Sequence, residues 1–164
     1  MAFADGDSDL RGVGGWLGLF AFGFGIVGPL RSIIETAINL YNDPAVAAAL
    51  GNAWLSFQIA SWLLNGLSLA GTSYVVWRLM YRQNPQTVTI TIFAIPVLAF
   101  GSVLLDGAIA VTVAGIDPGT VLEISTPGLF QAAIYCAVWC WYFKVSKRVH
   151  NTYVAPFRDE EVFA

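Results

Sequence analysis

Asp106 is the only carboxylate that lies well inside a long apolar stretch of this sequence. An ionised carboxylate with no partner is costly at the centre of a bilayer and less so toward its interface, so the residue calls for a specific chemistry. Three fit. Asp106 can form an ion pair with Arg31, with Gln58 as a second hydrogen-bond donor, since all three fall at about the same depth when counted from the helix ends. Arg31 can instead pair with Glu35 one turn along its own helix, leaving Asp106 protonated or hydrated. Or Asp106 can handle protons or cations along a transport path.

A second feature is a polar stripe. Gln58, Ser61, Asn65, Ser68 and Thr72 recur at steps of three and four, which sets them on one face of a helix. Turned toward lipid they would be expensive, so they point into a bundle or a partner, either as interhelical hydrogen-bond glue or as the lining of a water-filled path. Gln131 lies about level with Asn65, which makes the two an expected pair.

Other chemistries lack their residues. His150 is the only histidine, which excludes bis-histidine haem ligation and leaves no histidine metal cluster and no Ser-His-Asp triad inside the apolar region. Cys136 and Cys140 form no C-x-x-C motif and read as buried thiols. There is no glycine-rich phosphate loop between a strand and a helix, and no basic face for nucleic acid. Neither catalysis nor a cofactor nor a metal is expected, and no soluble substrate suggests itself. Lys144, Lys147 and Arg148 lie on one side of a helix that continues out of the last apolar run, where each would gain about 1 kcal/mol from anionic head groups. Phospholipids are therefore expected partners.

The elements that must position these residues follow from composition. Of 164 residues 57% are hydrophobic and 12% charged, and mean hydropathy is +0.65. A soluble domain carries about 25% charged residues, so this chain cannot clothe an ordinary wet surface. Four runs without charge, 12–30, 44–77, 83–105 and 124–143, are each long enough to cross a hydrocarbon core about 30 Å thick as a helix. Residues 87–92 alternate like a strand, but an open strand in lipid leaves its backbone unpaired, and they are read as the start of a helix. The fold predicted is an all-α integral membrane protein with four transmembrane helices at about 12–30, 53–77, 87–110 and 126–145.

Three helix starts carry a capping residue followed by proline: Asp43 and Pro44, Asn84 and Pro85, Thr126 and Pro127. Asp117, Pro118 and Gly119 read as a turn before the last helix. Pro96 should kink the third. Residues 1–11, with Asp5, Asp7 and Asp9, are expected to form an uncleaved flexible acidic tail, residues 12–149 the membrane domain, and 150–164 a C-terminal tail. A short amphipathic outer segment is expected between helices 1 and 2.

Along the first helix Gly14, Gly18, Ala21, Gly25 and Gly28 make a face with almost no side chain, suited to close packing against another helix of this chain or of a second protein. Arg11, Arg78, Arg82, Lys144, Lys147, Arg148 and Arg158 collect on one side of the four spans and Arg31 alone on the other, which predicts cytoplasmic N- and C-termini. Trp16, Trp77, Tyr81, Trp141 and Tyr142 then mark the inner interface, and Tyr41 and Trp54 the outer.

Two stretches carry a resemblance. Gly12, Val13, Gly14, Gly15, Trp16 and Leu17, together with Tyr142, Phe143, Ser146, Lys147, Arg148, Val149, Asn151, Thr152 and Tyr153, resemble the two ends of the bacterial membrane-protein family catalogued as domain of unknown function 2569. The resemblance implies a small four-helix protein of the bacterial inner membrane and carries no activity with it. The leading expectation for function is a non-catalytic accessory or stabilising subunit, packed through the small face of helix 1 against a larger membrane protein complex. The alternative is a small transport or conduction module that uses the polar face of helix 2 and Asp106.

Overall fold

The computed structural model of the chain describes residues 12–41, 47–48 and 50–154, with no account of the side chains at 39–41. The expected acidic tail, the Asp43 cap, Arg11 and Arg158 lie outside the described residues, as does the Tyr41 side chain. All regular structure among the described residues is helical: α1 (Gly15–Phe22), a π-helical turn (Gly23–Val27), α2 (Gly28–Tyr41), a 3-10 turn (Gly51–Ala53), α3 (Trp54–Tyr81), α4 (Pro85–Thr112), α5 (Pro118–Val145) and α6 (Lys147–Tyr153).

Four helical stretches are long and apolar enough to cross a membrane, Gly15–Ile38, Gly51–Tyr81, Pro85–Thr112 and Pro118–Val145, and the chain is a multi-pass membrane protein by that measure. Their outer faces carry exposed Leu19, Ile26, Leu63, Leu67, Phe93, Val97, Phe130 and Ile134, as a surface solvated by lipid requires.

The first span departs from the sequence reading. It does not stop near residue 30 and hand over to a separate amphipathic segment. Instead α1, the π turn and α2 run on as one rod to Tyr41. Pro29 explains the turn: it has no N–H for the Gly25 carbonyl, and its ring would crowd that group in an unbroken α-helix. One π-type bond, from the Gly28 N–H to the Gly23 carbonyl, widens the helix just before the proline.

The third span starts as expected. The Asn84 carboxamide accepts from the Thr87 N–H at 3.0 Å, Pro85 fills the first turn, and Thr87 and Thr91 turn their hydroxyls back onto the Arg82 and Thr87 carbonyls. The alternating run is therefore helix. Pro96 leaves the Ile92 carbonyl without its helical donor, and the Cys140 thiol of the neighbouring helix donates to that oxygen at 3.7 Å. Cys140 is thus more than an apolar filler.

The fourth span starts nine residues earlier than the Thr126 cap predicts. Asp117 is the cap, accepting from the Thr120 N–H at 3.0 Å, with Pro118 behind it. Thr126 donates its hydroxyl to the Leu122 carbonyl within the helix, and Pro127 is internal. At the far end the helix does not simply continue: it breaks at Ser146, whose hydroxyl caps α6.

The buried apolar core is off-centre. Leu17, Phe20, Phe24, Val75, Leu79, Ile95, Cys136, Phe143, Val149 and Tyr153 form it, and all belong to the half of the bundle that carries Arg78, Arg82 and α6. We call this the basic end. Phe20 lies 4.8 Å from Trp139 and 5.0 Å from Phe24 and Phe143, ring to ring, so α1 and α5 are sealed together there.

Candidate functional site: a hydroxyl-lined cavity beside the helix break

Beyond that aromatic seal, toward the end that carries Arg31, the bundle is neither apolar nor closed. A cavity of about 230 Å³ lies against the π turn, lined by Gly23, Gly28 and Pro29 and by polar groups from all four spans: Ser32, Ser68 with Thr72, Ser102, and Tyr135. Phe24, 6.4 Å from Tyr135 ring to ring, lines it on the basic side. A second space of about 330 Å³ shares Gly28, Ser32, Ala99, Ser102 and Tyr135 with the first and extends past Arg31, Glu35 and Gln131. Together they make a cleft between α2, α4 and α5.

Three of the five hydroxyls that line this cleft have committed their protons. Ser32 donates to the Asn65 carbonyl oxygen at 2.7 Å, Thr72 to the Ser68 carbonyl at 3.0 Å, and Ser102 to the Ala99 carbonyl at 3.1 Å. What these oxygens still offer a guest is lone pairs.

Asn65 is the hub of the polar stripe, with partners the sequence did not suggest. Its amide nitrogen donates to Thr36 Oγ1 at 2.8 Å and to the Ser61 carbonyl at 3.1 Å, while its oxygen takes the Ser32 proton. The expected pairing with Gln131 is not made: Gln131 is exposed on α5 and lines the cleft. Ser32 and Thr36 lie beyond residue 30, where the first uncharged run ends, and their spacing of four, in phase with Gly28, is the signal that joins them to the same helix. Ser61 and Thr72 are buried, Gln58 and Ser68 half-buried, so the stripe faces inward as expected.

The expected Arg31–Asp106 ion pair is likewise replaced. Arg31 Nε donates to Glu35 Oε1 at 2.6 Å, because α2 continues as a helix and brings Glu35 one turn further along the same face. Both side chains are more than half exposed, which makes the pair worth little in stability. Asp106 is exposed on α4. By helical register it stands on the face of Ala99 and Ser102, one turn nearer the Arg31 end.

The small face of helix 1 is used by this chain at two points. A β-carbon on Gly25 would stand 2.7 Å from a Val76 methyl of α3, and one on Gly14 would stand 3.0 Å from Arg148 Nη1. Gly28 would meet the Gly23 carbonyl at 3.3 Å, whereas Gly18 meets only the Val13 carbonyl of its own segment, at 3.7 Å; Ala21 is buried. Lys144 and Lys147 are exposed, but Arg148, expected among head groups, lies half-buried across Gly14 and Gly15. Gly15 has φ +56, a value few other residues would accept, and it starts α1 beneath that guanidinium. The Gly12 N–H donates to Thr152 Oγ1 at 2.9 Å, and Tyr153 donates to the Leu79 carbonyl at 2.5 Å. The two signature stretches of the sequence thus meet in one cap over the basic end.

No curated protein matches the chain, and no solved structure does. A family profile described as protein of unknown function (DUF2569) matches residues 10–154, a stretch that takes in both halves of the cap and all four spans. The chain belongs to that family.

Proposed function

We propose that the chain is a small membrane transport or conduction module whose solute site is the hydroxyl-lined cavity at the π turn. The observation that carries this reading is the convergence of hydroxyls from four helices on one space that opens toward Arg31 and is sealed on the other side by Phe20, Trp139 and Phe143. Glue between helices needs no such space. The solute class follows from the three committed protons: the Ser32, Thr72 and Ser102 oxygens retain only lone pairs, and with Asp106 one turn beyond Ser102 they favour a small guest rich in hydrogen-bond donors, such as an ammonium or alkylammonium ion. The accessory-subunit reading rested on the small face of helix 1, and Gly14 and Gly25 of that face already meet residues of the same chain. Co-purification with a second membrane protein at fixed stoichiometry would bring that reading back.

The test is thiol accessibility in reconstituted vesicles, in a background with Cys136→Ala and Cys140→Ser. Ser102→Cys should react with a membrane-impermeant thiol reagent from the Arg31 side alone, and millimolar methylammonium, but not acetate, should slow the reaction. Leu104→Cys, on the lipid-facing surface, should stay unreactive. A Ser102→Cys protein that is folded yet unreactive from both sides, or protected equally by both solutes, would reject the proposal.

A further inference from the structure

A space of about 530 Å³ forms a trench between α1 and α3 in the basic half, lined among others by Gly18, Ala21 and Gly25 on one side and Val76, Trp77 and Met80 on the other. It has no part in the cavity described above. The two helices touch where Val76 takes the place of a Gly25 side chain, and nearer the basic end Gly18 offers no side chain to fill the gap. Trp77, Met80 and Tyr81 are exposed along its edge, so the trench opens to whatever surrounds the bundle. Apolar walls in hydrocarbon gain dispersion contacts only when something occupies the space.

The charges at its mouth say what that something carries. The Arg82 guanidinium lies 5.6 Å over the Trp77 ring. The Arg148 guanidinium lies against Gly14, one turn before Gly18 on the same face of helix 1. Among the described residues the four carboxylates Glu35, Asp106, Asp117 and Glu123 all belong to the opposite half, and the ion pair there is Arg31 with Glu35. Among the described residues, two guanidiniums therefore flank an apolar trench with no carboxylate in the same half of the bundle.

We propose that this trench binds an anionic phospholipid, with one acyl chain laid between α1 and α3 and the phosphate held between Arg82 and Arg148. Trp77 and Tyr81 then sit at head-group level, where amphipathic rings are favoured. A zwitterionic lipid would bring its own cation toward two guanidiniums and bind less well.

Native mass spectrometry of the full chain from mild detergent, with phosphatidylglycerol and phosphatidylcholine supplied at equal concentration, tests this. The wild type should retain one phosphatidylglycerol in roughly tenfold preference. Arg82→Gln with Arg148→Gln should lose the preference, and Lys144→Gln with Lys147→Gln should keep it. Gly18→Leu, which fills the trench and leaves the charges alone, should lose retention of either lipid. Met80→Trp fills it from the other wall and serves in the same way if Gly18→Leu does not fold. Equal retention of the two lipids by the wild type, an unchanged preference in the double arginine variant, or a dimer that Gly18→Leu abolishes would each overturn the proposal, the last by making the trench an interface between copies.

Discussion

Tyr153 is fully buried beneath the basic end, and its phenol donates to the Leu79 carbonyl that closes α3. Burial first, and the neighbouring Tyr142 phenol second, push its pKa above the ordinary tyrosine value of about 10. A neutral phenol is favoured in the folded chain, so its contribution to stability is complete below the unfolded pKa and is lost as pH rises beyond it. Tyr153→Phe should therefore lower stability in detergent by about 1 kcal/mol at pH 8, and melting curves at pH 8 and pH 11 should show the gap between variant and wild type narrowing at the higher value. A constant gap would mean that the phenol is not held neutral. At this scale the sequence was a partial guide. The spacing of Asn65 with Ser61 and Ser68 told that these groups face inward. Their partners were hidden, because a partner depends on how two helices are rotated against each other, and Asn65 reads α2 where Gln131 had been expected. Arg31 went the other way: its partner was the local one, four residues off, and only the helix's continuation decided it.

Elements were most legible where capping chemistry was unique. Asn84 with Pro85 stands alone in its stretch and begins α4 as read. Before the last span two cap-and-proline pairs stand nine residues apart, and chemistry at that range cannot rank them. The earlier one wins because Thr126 satisfies its hydroxyl on the Leu122 carbonyl and Pro127 is tolerated inside the helix. Glycine raises a similar ambiguity, which the contacts resolve. Gly25 and Gly18 look alike in sequence, but one touches Val76 and the other edges an open trench. Gly25→Leu should destabilise the protein by roughly 1–3 kcal/mol through overpacking, while Gly18→Leu should leave the melting temperature nearly unchanged. Thermal melting in one detergent checks both, and equal damage would contradict the local geometry.

The whole molecule has two unlike halves, an aromatic, densely buried one at the basic end and a hydroxyl-bearing, open one beyond the π turn. The number of spans was legible because uncharged runs of this length have few alternatives in lipid. The division into halves was not, since composition is much the same along each span and the seal is made by rings far apart in the chain. Among the described residues Arg78, Arg82, Lys144, Lys147 and Arg148 lie at one end and Arg31 at the other. The bias of Lys and Arg toward the cytoplasm then sets an expected orientation. Cysteine labelling at position 83, between α3 and α4, should report the cytoplasmic side, and labelling at Gly115, between α4 and α5, the external side. The reverse pattern would turn the cleft around.

The cap over the basic end also imposes an order in time. Gly12 and Thr152, joined by one hydrogen bond, are 140 residues apart, and Tyr153 reaches back 74 residues to Leu79. The start of α1 must wait, already inserted, until residues 147–153 have been made. A chain that stops short of residue 147 would leave the start of α1 and the close of α3 uncovered while all four spans are complete.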